Sequence, residues 1–193
     1  MESYIKSYIE KGIELRKRII DSKLNEIINF AKIIYKSLKD GGKLLICGNG
    51  GSAADAQHIA AEFVNRYLAD RSPLPALALT TDTSIITAVS NDFTFDQIFS
   101  KQIQALATKN DCLLAISTSG KSPNIINALK SAKSIGCATL SLTGKDGGDM
   151  PNHSDLTLIV PSNETPVIQE THLVIEHLIC DLVERMIIEK LGE

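Results

Sequence analysis

Two polar segments contain the residue types that bind small anions. Residues 48–53 are rich in glycine, and residues 117–122 contain four hydroxyl side chains beside a glycine. Each segment follows a short apolar run and precedes a stretch with helical periodicity, so each is expected to lie at the N-terminus of a helix. Helix N-termini favour phosphate, and a helix cap needs only one hydroxyl group. The two segments predict a site for a small phosphorylated ligand, and their hydroxyl groups also suit a sugar.

Other interpretations of the first segment are a dinucleotide-binding turn and a tight turn without a ligand. The dinucleotide pattern G-x-G-x-x-G/A fits residues 48–53, but it needs an acidic residue about 20 positions later, at the end of the next strand. Asp70 has that approximate spacing but lies among loop residues, whereas Asp82 follows the strand too far along the chain. A P-loop is excluded because Gly-Lys-Ser/Thr does not follow the glycines.

A second group of residues has the types that bind divalent metals. His58 and Glu62 are four residues apart in a predicted helix and therefore lie on one face. From this spacing alone, a surface pair or a partly buried histidine is a more common explanation than a metal site. In the last predicted helix, Gln169 and His177 are eight residues apart, which is roughly 12 Å along the axis. Because one helix reaches a single ion poorly with both side chains, one of them is expected to come from a neighbouring subunit.

The elements that must position these side chains follow from an alternation of apolar runs and helical patterns. Parallel strands need crossover connections, so the alternation predicts a three-layer α/β fold with a five-stranded parallel sheet. Ligands of such sheets bind beyond the carboxyl ends of the strands, where both polar segments fall. Two helices are predicted over residues 1–40, as an extension within a single domain that spans residues 1–193. The predicted strands cover residues 43–47, 76–79, 112–116, 137–142 and 155–160, and the later helices cover residues 52–68, 83–90, 95–107, 123–134 and 166–191.

The composition argues against several classes of partner. The chain has 193 residues, a net charge of −3, 5% aromatic residues and no tryptophan, so binding to nucleic acid is not expected. The polar N-terminus and the lack of an apolar run near the roughly 20 residues of a membrane span predict a cytoplasmic protein without a membrane partner. The four cysteines are not closely paired in the sequence and are expected to be buried free thiols.

Several motifs together give the chain a resemblance to a known family. Residues 48–58 and 117–120 resemble loops of the sugar isomerase (SIS) domain, and three further motifs are similar to those of the bacterial phosphoheptose isomerase family. Those motifs are residues 91–93, 142–148 and 168–170. The resemblance implies an aldose–ketose isomerase that interconverts sedoheptulose 7-phosphate and D-glycero-D-manno-heptose 7-phosphate, an early step towards ADP-heptose and the lipopolysaccharide core. It also implies a homotetramer with active sites at the subunit interfaces.

The resemblance further assigns roles to individual residues. It implies a single Zn²⁺ ion in each subunit, held by His58, Glu62, Gln169 and His177. The isomerisation needs a base and an acid, and we expect Glu62 to be the base and His177 the acid. A cation would stabilise the charge of the enediolate. The sugar phosphate is expected to contact Asn49, Gly50, Gly51, Ser52, Glu62, Asn91, Asp92, Ser117, Thr118, Ser119, Ser122 and Gln169.

Two features leave the function and the details of the site open. Pro166 and Val167 stand where some family members carry an Asp-Arg pair, which affects the expected geometry of the site. Arg66 is expected either to supply a charge to a neighbour's site or to form a surface ion pair.

The alternative function is a non-catalytic SIS scaffold similar to the DnaA initiator-associating protein, and a third hypothesis is a sugar-phosphate sensor without turnover. Retention of all four metal-site residue types favours the enzyme.

Overall fold

The five predicted strands all form in the computed structural model, which describes residues 1–189, and they lie in one wholly parallel sheet. The strands are β1 (Leu44–Gly48), β2 (Ala76–Ala78), β3 (Cys112–Ser117), β4 (Ala138–Gly144) and β5 (Leu156–Val160). Across the sheet their order is β2-β1-β3-β4-β5. The prediction of an α/β fold with five parallel strands is confirmed.

Helices connect the strands and cover both faces of the sheet. Phe95–Gln97 and Met150–His153 form short 3-10 turns, so the predicted helix over 95–107 begins as a 3-10 turn. Within residues 1–189, no helix has both the length and the apolar character needed to cross a membrane. The last predicted helix ends at Ile188, and residues 190–191 of that prediction lie outside the described residues. The helices are α1 (Glu2–Ser22), α2 (Leu24–Lys39), α3 (Gly51–Val64), α4 (Thr83–Asp92), α5 (Ile98–Leu106), α6 (Pro123–Ile135) and α7 (Thr165–Ile188).

The central strands are buried on both faces, which explains why each is a continuous apolar run and not an alternating one. In β1, Leu44 and Ile46 join an apolar cluster that includes α2, α3 and α7, whereas Leu45 and Cys47 join a second cluster with α5 and α6. The sheet therefore separates two cores, and α3 and α7 lie together on the same side. All four cysteines are buried free thiols, as predicted.

The predicted helix over residues 52–68 ends earlier than expected, at Val64. The chain leaves the helix because a distant carboxylate binds the N–H groups of three consecutive residues. Tyr67, Leu68 and Ala69 donate to the two carboxylate oxygens of Glu184 over 3.0, 2.9 and 2.7 Å. These N–H groups would otherwise pair with carbonyl groups four residues earlier in a longer helix. A side chain of α7 thus determines where α3 ends.

The face of α7 that packs on the sheet contains polar side chains held in their neutral forms. His172 is fully buried and its Nε2 atom lies 3.1 Å from the carbonyl oxygen of Thr143, while its Nδ1 atom has no partner. Burial lowers the pKa of His172 to about 4, against the opposing effect of the Thr143 hydrogen bond. Burial and the charge of Asp55 raise the pKa of Glu176 to about 8. Both side chains are therefore uncharged at neutral pH, which permits their burial.

Replacement of His172 by glutamine should reduce the acid sensitivity of the fold. The folded state keeps His172 neutral until the pH approaches about 4, whereas the unfolded chain binds a proton near 6.5. The stability that depends on neutral His172 is therefore complete above pH 6.5 and is lost as the pH falls towards 4. The difference in unfolding free energy between wild type and His172→Gln should change by roughly 3 kcal/mol over this range, with the wild type losing more. Urea denaturation in a chelating buffer measures it, and a difference independent of pH would contradict the burial argument.

Candidate functional site

The two polar segments leave neighbouring strands at the point where the connections of the sheet diverge. The chain passes from β1 to the edge strand β2 and returns to β3 on the other side of β1. A crevice opens at the carboxyl ends of two strands whose connections diverge in this way. Residues 48–53 run from the last residue of β1 into the first turn of α3, and residues 117–122 run from the last residue of β3 to the start of α6. The fold therefore places both predicted ligand-binding segments on the two sides of one crevice.

A reciprocal pair of asparagines joins the two segments. The amide of Asn49 donates to Asn124 over 2.9 Å, and the amide of Asn124 donates back over 2.8 Å. Asn124 is almost fully buried in the first turn of α6. This pair fixes the spacing of the two loops across the crevice. Asn124 was not predicted from the sequence, because an asparagine in the first turn of a helix has no distinctive pattern.

Hydroxyl groups surround the start of α6. Ser117 accepts the N–H of Gly120 over 3.2 Å, and its hydroxyl lies 3.4 Å from that of Ser122. Ser122 stands at the N-cap of α6 but makes no capping hydrogen bond with its side chain. Lys121, the only cation of the segment, pairs with Asp146 at 3.3 Å. The loop consequently offers hydroxyl groups and helix N–H groups to an anion, which is the arrangement that favours phosphate.

The segment after β4, which includes Gly147 and Asp149, packs against the backbone of this hydroxyl loop. Gly120 has a φ of +64°, and a Cβ atom there would lie 1.9 Å from the carbonyl oxygen of Gly147. The N–H of Asp149 donates to the carbonyl oxygen of Gly120 over 2.9 Å. Only glycine permits so close an approach of two backbones together with a positive φ. The motif at residues 142–148 thus acts through the shape of the neighbouring loop.

Three of the residues predicted to bind metal meet where α3 passes α7. The Nε2 atoms of His58 and His177 are 2.8 Å apart, with the ring planes at 73° and the ring centroids 5.1 Å apart. A carboxylate oxygen of Glu62 lies 3.7 Å from Nε2 of His58. The ring of Tyr67 packs against His177 at a centroid distance of 5.6 Å. We refer to His58, Glu62 and His177 as the histidine cluster.

Gln169 connects the glycine-rich loop to the turn of α3 that precedes His58. A Cβ atom on Gly51 would fall 1.5 Å from the Nε2 atom of Gln169, so the amide lies directly against that glycine. Burial raises the pKa of Asp55, while a hydrogen bond with Gln169 and the charge of His58 act in the opposite direction. Asp55 was absent from the predicted site, although its position one turn before His58 on the same helix was an available signal.

The donor types of the histidine cluster and Gln169 are compatible with a divalent metal. Imidazole nitrogen and carboxylate oxygen are normal Zn²⁺ ligands, and the two Nε2 atoms already point at each other. Their hydrogen bond uses the lone pair that a cation would otherwise take. Within residues 1–189, no group of three or more His, Cys, Asp or Glu side chains has an arrangement that could hold a metal ion.

Within residues 1–189, other residues singled out from the sequence form no hydrogen bond or ion pair with these groups. Asn91 and Asp92 are exposed at the end of α4, where they hydrogen-bond to each other over 2.9 Å, and α4 buries none of its residues. Arg66 is exposed and forms no ion pair within the part of the chain that the structure describes. Val167 is buried in the core in the first turn of α7, next to Pro166, so an apolar residue anchors the start of this helix.

Comparison with known proteins places this arrangement in context. A family model described as SIS domain matches residues 7–144. A phosphoheptose isomerase of Aliarcobacter butzleri is 52% identical over 167 residues, covering 86% of this chain and 88% of that protein. The solved phosphoheptose isomerase GmhA of Neisseria gonorrhoeae is 39% identical, with a TM-score of 0.90 over 95% of this chain and 98% of its own. The phosphoheptose isomerase of Francisella tularensis is 40% identical, with a TM-score of 0.91 over 95% and 97%.

The contact between Gly51 and Gln169 predicts a specific effect of Gly51→Ala. The added methyl group meets the end of a flexible side chain, so the fold should survive while Gln169 moves away. We expect Zn²⁺ binding, measured by titration calorimetry, to weaken by about tenfold, as for other changes in the shell around a ligand. Gly41→Ala is the control, because Gly41 has a positive φ and open space around it. It should lower the melting temperature without affecting Zn²⁺ binding, and equal affinity in both variants would contradict the assigned contact.

Proposed function

The chain belongs to the phosphoheptose isomerase family of SIS-domain proteins, and on that basis we propose that it interconverts sedoheptulose 7-phosphate and D-glycero-D-manno-heptose 7-phosphate. The observation that carries the proposal is the convergence of His58, Glu62 and His177 from two helices at the glycine-rich loop: α3 begins in that loop, and Gln169 of α7 lies against its Gly51. A carboxylate and imidazoles near an anion site are the groups that an aldose–ketose isomerisation requires. We also propose that the protein acts in the cytoplasm and that its product is used to make ADP-heptose for the lipopolysaccharide core.

The phosphate group of the substrate binds at the loop after β3 in this proposal. Ser117, Thr118, Ser119 and Ser122 provide hydroxyl groups, and the N-terminus of α6 provides N–H groups and a favourable dipole. On the other side of the crevice, residues 49–52 lie between the phosphate and the histidine cluster and bind the sugar. A chain with a net charge of −3 can bind phosphate in this way without a basic patch.

Proton transfer between neighbouring carbons is the chemical step. Glu62 removes the proton from the carbon beside the carbonyl group, which gives an enediolate, and the remaining hydroxyl proton passes to the former carbonyl oxygen. His177 acts as the acid that returns a proton at the neighbouring carbon, and the proton held by Glu62 then returns to His177 through solvent before the next turnover. The two residues approach the crevice from different helices, Glu62 from α3 and His177 from α7. Because both act on a single small substrate, the relative position of these helices determines whether proton transfer is possible.

His58, Glu62, Gln169 and His177 are the residues proposed to hold one Zn²⁺ ion per subunit. When bound, the ion supplies positive charge that stabilises an enediolate. Glu62 and His177 then have two conflicting tasks, metal binding and proton transfer. The tasks conflict because a lone pair that binds a cation is not available to a proton. Gln169 is neutral and has no such conflict, and its contact with Gly51 places it next to the sugar-binding loop.

A homotetramer with active sites at subunit interfaces is the assembly that we propose. The helix α4 buries none of its residues, and Phe93 and Phe95 beyond it are 55% and 54% exposed. On α1, Ile5, Ile9 and Ile13 form an exposed apolar stripe at helical spacing. Exposed apolar surfaces of this kind mark contacts with other chains. Asn91 and Asp92 are the last two residues of α4, and in this assembly they contribute to the active site of a neighbouring subunit.

The first test is an isomerase assay with purified protein and sedoheptulose 7-phosphate. Turnover should occur, should fall by at least tenfold after removal of metal by a chelator, and should return when Zn²⁺ is added. Glu62→Gln and His177→Gln should each lose most of the turnover while circular dichroism and melting temperature show an intact fold. Inactivity of the Zn²⁺-loaded protein at high concentration would reject the enzyme in favour of a non-catalytic SIS scaffold.

A second test concerns the apolar stripe on α1. In Ile9→Glu/Ile13→Glu, two charges enter the stripe, so the assembly should dissociate and the specific activity should fall by about tenfold at dilute concentration. Light scattering after size exclusion reports the mass, and the assay above reports activity on the same fractions. Ser3→Glu/Ser7→Glu is the control, since it adds two negative charges to α1 at exposed positions that lie two residues from Ile5 and Ile9 and therefore on another face of the helix. A double variant that stays fully assembled would exclude this surface as an interface.

A further inference from the structure

We propose that the buried ion pair of Arg71 and Glu184 positions α3 against α7, and so sets the geometry of the histidine cluster. The two side chains are 5% and 3% exposed, and Nε of Arg71 lies 3.0 Å from a carboxylate oxygen of Glu184. We call this pair the Arg71–Glu184 clamp. Its role as a positioning device for metal ligands rests on the function proposed above, whereas its effect on the two helices does not.

Glu184 binds the segment that leaves α3. Its carboxylate accepts the N–H groups of three consecutive residues, Tyr67, Leu68 and Ala69, in addition to Arg71. Burial alone raises the pKa of Glu184, but these amides and Arg71 outweigh it and hold that pKa below its usual range. A charged carboxylate with this many donors fixes the segment in one conformation. Tyr67, whose ring packs on His177, belongs to that segment.

Arg71 binds the last turn of α3 itself. Its Nη2 atom donates to the carbonyl oxygen of Glu62 over 2.9 Å, and its Nη1 atom donates to that of Phe63 over 2.9 Å. Carbonyl groups at the end of a helix have no partner within the helix, so the guanidinium group completes that turn. The backbone of Glu62, a member of the histidine cluster, is thus held by the same group that grips Glu184.

The clamp lies in line with the histidine cluster. His177 and Glu184 are seven residues apart on α7, which is about two turns and places them on one face. Glu62 and His58 are one turn apart on α3. The clamp connects α3 to α7 beyond the point where the histidines meet, and it joins a backbone atom of Glu62 to α7 through two side chains. A shift of either helix along its axis therefore breaks charged hydrogen bonds.

Directional bonding explains why a buried ion pair is used here. Two buried charges lose hydration that roughly offsets their attraction, so such a pair adds little stability over apolar residues of the same size. Its fork of hydrogen bonds nevertheless specifies distance and angle, which apolar packing does much less sharply. Arg71 and Glu184 bond to each other, to the end of α3 and to the segment that follows it. One further hydrogen bond joins Arg71 to the carbonyl oxygen of Ser72.

The test compares Arg71→Lys and Glu184→Gln with the wild type. Lysine keeps the charge of Arg71 but cannot reach Glu184 and both carbonyl groups together, so charge alone should not restore the geometry. We expect each variant to bind Zn²⁺ at least tenfold more weakly. We also expect kcat to fall at least tenfold while KM changes less than twofold, because the phosphate loop after β3 is untouched. Proton NMR of the imidazole groups in metal-free protein should show shifted signals for His58 and His177.

Asp111→Asn is the matched control. Asp111 is also a buried carboxylate, 1% exposed in its side chain, and it accepts the N–H groups of Lys43 and Thr108 and pairs with the ammonium group of Lys43 at 2.7 Å. It precedes β3 and so lies at the end of the sheet opposite to the crevice. This variant should lower the melting temperature while leaving Zn²⁺ affinity and imidazole signals unchanged. Equal losses of Zn²⁺ affinity in the control and the clamp variants would contradict the positioning role, because the clamp would then contribute only to the overall stability of the fold.

Other outcomes separate the clamp from the proposed function. If the wild type neither binds Zn²⁺ nor turns over substrate, the proposed function fails, and the imidazole spectra of the metal-free variants still decide on the clamp. Wild-type Zn²⁺ affinity and wild-type imidazole signals in both clamp variants would overturn the positioning role. If Glu184→Gln does not fold, Arg71→Lys alone carries the comparison, and full affinity in that variant overturns the proposal.

Discussion

The contact between α3 and α7 is the constraint on which the rest of the site depends. Along this contact, Gln169 lies against Gly51 at the start of α3, His58 meets His177 in the middle, and Arg71 joins the end of α3 to Glu184. Each group proposed for metal binding or proton transfer belongs to one of these two helices. The core on this side of the sheet supports the contact, since buried apolar residues of α2, α3 and α7 form one cluster. A fixed contact between two helices is thus the scaffold for the chemistry.

The position of the hydroxyl loop, residues 117–122, depends on a different part of the fold. It needs the divergence of the connections at β1 and β3, the Asn49–Asn124 pair and the glycine contact that supports Gly120. The glycine-rich loop belongs to both systems, because Asn49 faces the hydroxyl loop and Gly51 begins α3. One short loop therefore sets the distance between the anion-binding end of the crevice and its reactive end.

Much of the fold follows from the sequence, because the strands are buried on both faces and so appear as continuous apolar runs. The two polar segments were also evident, since their composition and position after strands have a direct physical meaning. The end of α3 was not predictable, because Glu184 lies more than 110 residues away from the amides that it binds. The contact between His58 and His177 was not predictable for the same reason, because the two residues are 119 positions apart in the sequence. Spacing along one helix reveals which face a residue occupies, but the partner face on another helix is a property of the packed core.

The hydrogen bond between His58 and His177 has a consequence for where protons reside. Two neutral imidazoles joined through their Nε2 atoms must be different tautomers, because one Nε2 donates a hydrogen and the other accepts it. A cation that binds both Nε2 atoms requires the same tautomer in both rings, with the hydrogen on Nδ1. Loading and unloading of such an ion would move a hydrogen from one nitrogen to another within a single ring. Binding of a cation to the two histidines would therefore change the tautomer of one ring, and the nitrogen chemical shifts of the imidazoles distinguish the two tautomers.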